Sequence, residues 1–211
     1  VHVNHKRKAL FFHVPKTGGT AIHTAFSTHK ITIKDKWEFY LGMHGNFTDL
    51  KSSHKTKRSF DKLMKYWKFC FVRNPWSHAV SLYFHTIDTD RWGKVDSPEP
   101  IEKYKNFKWF LKTYEGECPL YRPQSHYTFY DKEFKIDNWY QYEQLQEAWD
   151  DLCERFNYEK FELPIINITK QRKNIFNIAY PEDYRTLYDD ESIEFVAKKS
   201  ENEIRRFSYH F

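Results

Sequence analysis

No stretch of this chain comes near the roughly 20 consecutive apolar residues that cross a bilayer. The basic residues 1–8 are not followed by a hydrophobic core of signal-peptide length. The expectation is a chain that makes no membrane contact of its own; because it starts at Val1 and not at Met, an anchor further upstream is compatible with that reading. Cysteine is sparse. Cys70, Cys118 and Cys153 show no metal-ligand spacing, and their odd number leaves at least one thiol unpaired, which favours a reducing compartment. There is no internal repeat and no low-complexity tract. The dense basic clusters of a dedicated nucleic-acid binder are also missing, and the net charge of +5 is a mild excess that favours an anionic ligand. What is present is apolar and aromatic: 40% hydrophobic residues, with Phe, Trp and Tyr making up 19% of the chain, exclude a disordered tail or a collagen-like rod. The length of 211 residues suits one domain with a sizeable core, spanning residues 1–211.

Two segments repeat the same pattern of buried strand, sharp turn and helix. Residues 9–14 (ALFFHV) form an apolar run of strand length, ended by Pro15 and a glycine pair and followed by a helical pattern over 20–28. Residues 66–72 (YWKFCFV) form the second such run; Asn74 then offers a helix cap and Pro75 a preset first turn for a helix reaching about His85. Short strands are expected within 31–33 and 37–41. Residues 51–62 read as a surface loop and a helix start, and 88–100 as a loop. Helices are expected over 101–114, 145–156 and 189–207, with an edge or final strand over 138–142. Alternation of strands and helices predicts an α/β domain with a mainly parallel sheet, whose ligands sit at the carboxyl ends of the strands.

The turn His13-Val14-Pro15-Lys16-Thr17-Gly18-Gly19-Thr20 joins the first strand to the first helix. Glycines let the backbone turn its N–H groups inward, and the helix N-terminus adds partial positive charge, so a phosphate fits there; Lys16 adds a full charge. A Walker A loop carries its lysine after the last glycine, next to a Ser or Thr for magnesium, whereas here the lysine precedes both glycines. The turn reads as an anion site without a metal, and the alternative is a solvent-exposed glycine turn with an incidental lysine. PKTGGT after a hydrophobic strand resembles the 5′-phosphosulfate loop of sulfotransferases that use 3′-phosphoadenosine 5′-phosphosulfate (PAPS), in the carbohydrate branch that includes heparan sulfate 2-O- and 6-O-sulfotransferases. The resemblance implies a three-layer, P-loop-like α/β fold and nucleotide contacts from Lys16, Thr17, Gly18, Gly19 and Thr20.

Arg73 follows the second strong strand, and Ser81 lies on the second turn of the helix expected from Pro75, within reach of an anion held by the guanidinium. Taken alone, the pair also suits a surface ion pair and a solvated serine. The segment FVRNPWSHAVSLYFH resembles the family's 3′-phosphate segment, with Arg73 and Ser81 at the matching positions; His78 departs from the usual basic residue three after the proline. His44 stands in a short glycine-flanked loop, and a neutral imidazole is suited to taking a hydroxyl proton. LGMHGNFTDL is similar to the segment of heparan sulfate 6-O-sulfotransferases that carries the proposed base, which implies that role for His44. His13 and His23 flank the loop in a strand and a helix, where packing is the default role. Weaker similarity covers Arg122-Pro123-Gln124-Ser125, Tyr142-Glu143-Gln144-Leu145 and 163–169; it implies that 167–173 closes over the nucleotide, with Thr169 and Lys170 as contacts. The sequons at Asn46 and Asn167 lie beside these positions, which argues for a chain made outside the secretory pathway.

The expectation is a metal-free, in-line transfer from PAPS to a hydroxyl, with His44 as base, Lys16 steadying the leaving oxygen and adenosine 3′,5′-bisphosphate as the product. The resemblance implies a carbohydrate acceptor, with a small alcohol or phenol next. It implies cytoplasmic location for a prokaryotic or viral chain and the Golgi lumen for a trimmed animal protein. A P-loop nucleotide kinase or phosphotransferase, and a non-enzymatic module for glycans or RNA, are the alternative readings.

Overall fold

The computed structural model describes residues 1–28, 37–39, 45–53, 57–88, 101–113, 121–131, 133–165 and 173–211. In chain order its elements are β1 (His2–Asn4), β2 (Ala9–Phe12), α1 (Gly19–Thr28), β3 (Glu38–Phe39), α2 (Phe47–Ser52), α3 (Lys57–Met64), β4 (Trp67–Val72), α4 (Pro75–Thr86) and α5 (Phe107–Lys112). They continue as α6 (Ser125–Thr128), β5 (Phe129–Tyr130), β6 (Glu133–Phe134), β7 (Asn138–Gln141), α7 (Leu145–Phe156), α8 (Asp190–Lys199) and α9 (Glu201–Phe207). Two compact units share them: Val1–Arg73 with Gln124–Ile166, and Asn74–Pro123 with Asn167–Phe211.

The first unit holds a five-stranded sheet in the order β3-β1-β2-β4-β7. β2 pairs in parallel with β4, and β4 with β7, while β1 is antiparallel to both of its neighbours, so β1 alone runs against the rest. This is a mixed α/β architecture with a central sheet of mostly parallel strands flanked by helices. The strands alternate their side chains between two faces. Phe11, Phe69 and Phe71 point to one face, where they pack with Ile22, Ala25 and Phe26 of α1 and with Trp149, Leu152 and Phe156 of α7. Phe11 and Phe69 stack at 5.0 Å between ring centroids. On the other face Phe12 stacks on Phe47 of α2 at 4.1 Å. Each such ring contributes about 1.5–3 kcal/mol by leaving water. Lys68, in β4, is nearly buried and fully engaged: its Nζ donates to the carbonyls of Met64 and Tyr66 and sits 3.0 Å from Asp137.

The register fixes where the functional residues emerge. Phe12 lies opposite Cys70, and Val72 opposite Gln141. The turn after β2, Arg73 after β4 and Tyr142 after β7 therefore leave the sheet at one carboxyl edge, where a parallel sheet binds ligands.

In the second unit α4 starts where the sequence places it. Asn74 caps it by accepting from the backbone N–H groups of Trp76 and Ser77, with Pro75 as the first helical residue. Tyr83, Phe107, Phe110, Tyr121 and Val196 belong to this unit's core. The Tyr83 hydroxyl donates to the Lys105 carbonyl, and burial pushes its pKa up to about 12, so it stays a neutral donor.

Several boundaries differ from the sequence reading. The expected helix over 101–114 is a 3-10 turn (Ile101–Lys105) and α5, broken because the Asn106 side chain accepts from Trp109 N–H and caps a new helix. The expected helix over 189–207 divides into α8 and α9 at Ser200. Residues expected as a loop and helix start, 51–62, contribute to α2 and α3. The short strand expected within 31–33 lies outside the described residues, and β1 was not expected.

Candidate functional site

The turn between β2 and α1 is built from backbone of alternating handedness. Lys16 has φ +62° and Gly18 φ +81°, both left-handed, with Thr17 between them on the ordinary side. Successive residues of opposite hand turn consecutive N–H groups to one side and form an anion-binding nest. Thr17 is completely buried and its hydroxyl donates to the Val14 carbonyl at 2.9 Å, so its side chain braces the turn. The Gly18 carbonyl accepts from Ala21 and Ile22 N–H groups, which starts α1 directly after the turn.

Gly18 is required by its left-handed φ and Gly19 by space. A Cβ on Gly19 would lie 2.0 Å from Cδ2 and 2.2 Å from Nε2 of His13. His13 lies just past the end of β2 and not within the strand, yet it is a packing residue: it is buried and stacks on Phe11 at 5.5 Å. A Cβ on Gly18 would meet Leu145 and Tyr142 at about 3 Å, so the start of α7 closes the other flank of the turn.

Arg73 emerges from β4 beside this turn. Its Nη1 donates to the Lys16 carbonyl at 3.4 Å, and its guanidinium carbon sits 4.5 Å from the centre of the Tyr142 ring. Its backbone is held by Gln124, whose Oε1 accepts from Arg73 N–H at 2.8 Å and whose Nε2 donates to the Arg73 carbonyl at 2.7 Å. The geometry therefore gathers Lys16, Thr17, Gly18, Gly19, Thr20 and Arg73 at one sheet edge. Ser81 is buried in α4, in the second unit. His44, Thr169 and Lys170 lie outside the described residues. The clamp by Gln124 and the ring contact by Tyr142 carry no signal in the sequence beyond the similarity of their segments.

His23, on α1 just past the turn, stands 5.0 Å from the His2 ring, which itself lies 5.7 Å from His13. Burial holds the His23 pKa below that of a free imidazole. The unfolded chain thus binds a proton there at a pH where the folded chain does not, so stability is retained above about pH 6.5 and declines as pH falls through the lowered value. Thermal melts between pH 8 and 5 should show this decline, and His23→Gln should flatten it; parallel slopes in the two proteins would assign the decline to other groups.

The Asn46 side chain accepts from Asp49 N–H and the Asp49 carboxylate accepts from Asn46 N–H, a reciprocal box that caps α2, so the asparagine of the first sequon is a structural cap. Cys70 and Cys153 are buried, and desolvation pushes the Cys153 thiol up to about 11, which keeps it unreactive. Among the described residues no group of three or more His, Cys, Asp or Glu side chains is placed to hold a metal ion, and no helix is long and apolar enough to cross a membrane.

A model of the Sulfotransferase family matches residues 1–210. No curated protein and no solved structure matches the chain.

Proposed function

Because the chain belongs to the sulfotransferase family, and so to the enzymes that transfer sulfuryl groups, we propose that it uses PAPS as donor and a carbohydrate hydroxyl as acceptor, on a P-loop-like fold acting as one sulfotransferase domain over residues 1–211. The observation that supports this reading is the left-handed turn at Lys16 and Gly18 with the Arg73 guanidinium tied to its backbone. A nest at a helix N-terminus fits one phosphate group, and a strand-end arginine fits a second, which suits a nucleotide phosphorylated at both ends of its ribose. The backbone of Lys16 to Thr20 holds the 5′ end and Arg73 the 3′-phosphate. Lys16 neutralises charge that develops on the oxygen leaving sulfur, and His44 accepts the acceptor's proton. Positioning and electrostatics supply the rate, and no metal enters this scheme. The roles of Ser81, Thr169 and Lys170 as nucleotide contacts, and of His44 as base, rest on the resemblance of their segments.

Incubation with radiolabelled PAPS and panels of glycans, alcohols and phenols tests the proposal. Label on a glycan hydroxyl is the expected result. Tight magnesium-ATP binding without PAPS binding would favour a phosphotransferase, and glycan or RNA binding without turnover would favour a binding module. Arg73→Ala should weaken adenosine 3′,5′-bisphosphate by about 10- to 100-fold, the worth of a charged hydrogen bond, while weakening 5′-AMP much less. Titration calorimetry reads both, and equal losses would overturn the polarity assigned to the nucleotide.

A further inference from the structure

We infer that Gln124 and Tyr142 are positioning residues that set the Arg73 guanidinium for the ribose 3′-phosphate, an inference that rests on the assignment of Arg73 to that phosphate.

β4 ends at Val72, and the next peptide would leave the ladder. Gln124 supplies the missing partner. A primary amide carries one acceptor and a donor in the same arrangement as a backbone peptide, and both are used on Arg73: Oε1 takes its N–H at 2.8 Å and Nε2 reaches its carbonyl at 2.7 Å. The side chain thus extends the hydrogen bonding of β4 one residue beyond its last ladder partners in β2 and β7. Gln124 is 1% exposed, so losing either bond leaves a polar group away from water. The effect is to fix the peptide of Arg73, and with it the direction in which its side chain leaves the sheet.

Tyr142 acts at the other end of that side chain. Val72 lies opposite Gln141 in the parallel ladder, so Arg73 and Tyr142 follow as register neighbours. The half-buried ring takes the guanidinium carbon at 4.5 Å from its centre. A cation held over a ring face leaves the guanidinium's other N–H donors available for a phosphate. The contact from Nη1 to the Lys16 carbonyl orients that plane toward the turn. Gln124 fixes the base of the arginine, Tyr142 its head, and neither is placed here as a ligand of the nucleotide.

A merely structural role predicts equal losses for any nucleotide, because adenosine 3′,5′-bisphosphate and 5′-AMP share the 5′-phosphate and differ in the 3′ group. A positioning role predicts a selective loss. The test is calorimetric titration of both ligands into the wild type, Arg73→Ala, Gln124→Ala, Tyr142→Leu and Tyr142→Phe, reading the ratio of the two affinities. Gln124→Ala and Tyr142→Leu should each lower the ratio about 2- to 30-fold, the span of cation–π strengths. Tyr142→Phe, which keeps the ring, should restore it, and Tyr142→Leu should lower it no further when added to Arg73→Ala. An unchanged ratio in Tyr142→Leu, with a ratio that falls in Arg73→Ala, would overturn the inference and leave the 3′-phosphate assignment standing. A ratio unmoved by Arg73→Ala would overturn that assignment and the inference with it. Should Gln124→Ala fail to fold, the two Tyr142 variants at the half-buried ring decide the matter.

Discussion

Gly19→Ala should lose nucleotide binding by about 100-fold or more and regain much of it when His13 is also cut back to alanine. The added methyl would sit 2.0 Å from His13 Cδ2, 2.2 Å from Nε2 and 2.8 Å from Cγ, all far inside contact distance. The ring has little room to yield. It is 2% exposed, stacks on Phe11 and has His2 at 5.7 Å on another side. Forcing a methyl into such a site costs about 1–3 kcal/mol, occasionally more, and here the displaced element is the first turn of α1, proposed to hold the nucleotide. At about 1.4 kcal/mol per tenfold, the upper part of that range gives the stated loss if the turn opens to relieve the clash. His13→Ala alone removes a buried ring and should lower the melting temperature, whereas in the double variant the new methyl enters the vacated space. Calorimetry with adenosine 3′,5′-bisphosphate on the four proteins of the cycle measures the coupling. Wild-type affinity in the single Gly19→Ala variant would mean that the nucleotide does not use this turn.

His44→Ala should cost about 10²- to 10⁴-fold in turnover, the usual worth of a positioned general base, with little change in nucleotide affinity. The described residues resume just after it. Asn46 caps α2, and Phe47 at the start of α2 stacks on Phe12 at 4.1 Å, one residue before His13 opens the turn. α2, which begins three residues after His44 in the sequence, is thus anchored near the strand end that opens the turn. Single-turnover sulfuryl transfer from labelled PAPS separates chemistry from binding. Loss of affinity with intact turnover would make His44 a nucleotide contact. Unchanged turnover would move the base assignment elsewhere, first to His126, whose Nε2 lies 3.4 Å from Asn46 Nδ2.

The parts of this arrangement that were legible in the sequence are those in which one chemical pattern serves one purpose. β2 and β4 are buried on both faces, so they read as unbroken apolar runs. Asn74-Pro75 states its own helix start, and α7 matches its apolar stripe from Leu145 to Phe156 at both ends. β1 escaped because its three residues are His2, Val3 and Asn4, two of them polar yet fully buried in the sheet. α2 and α3 escaped because each buries only two apolar side chains, Phe47 with Leu50 and Phe60 with Leu63, too few to stand out among lysines and serines. The division between Arg73 and Asn74 coincides with no change in composition, since the chain crosses between the units and returns. The turn between β2 and α1 was legible through its glycines and proline. The Gln124 clamp was not, because it joins residues 51 positions apart and a single glutamine carries no signal of where its amide will be spent.

The left-handed backbone of Lys16 bears on how its charge can be studied. Alanine at this position deletes the ammonium group and keeps the left-handed backbone, which costs lysine and alanine alike about 1–2 kcal/mol. Glycine relaxes the penalty but enlarges the unfolded ensemble, and asparagine tolerates the same hand while staying neutral. A kinetic deficit shared by all three replacements measures electrostatics; one that varies among them measures the shape of the turn.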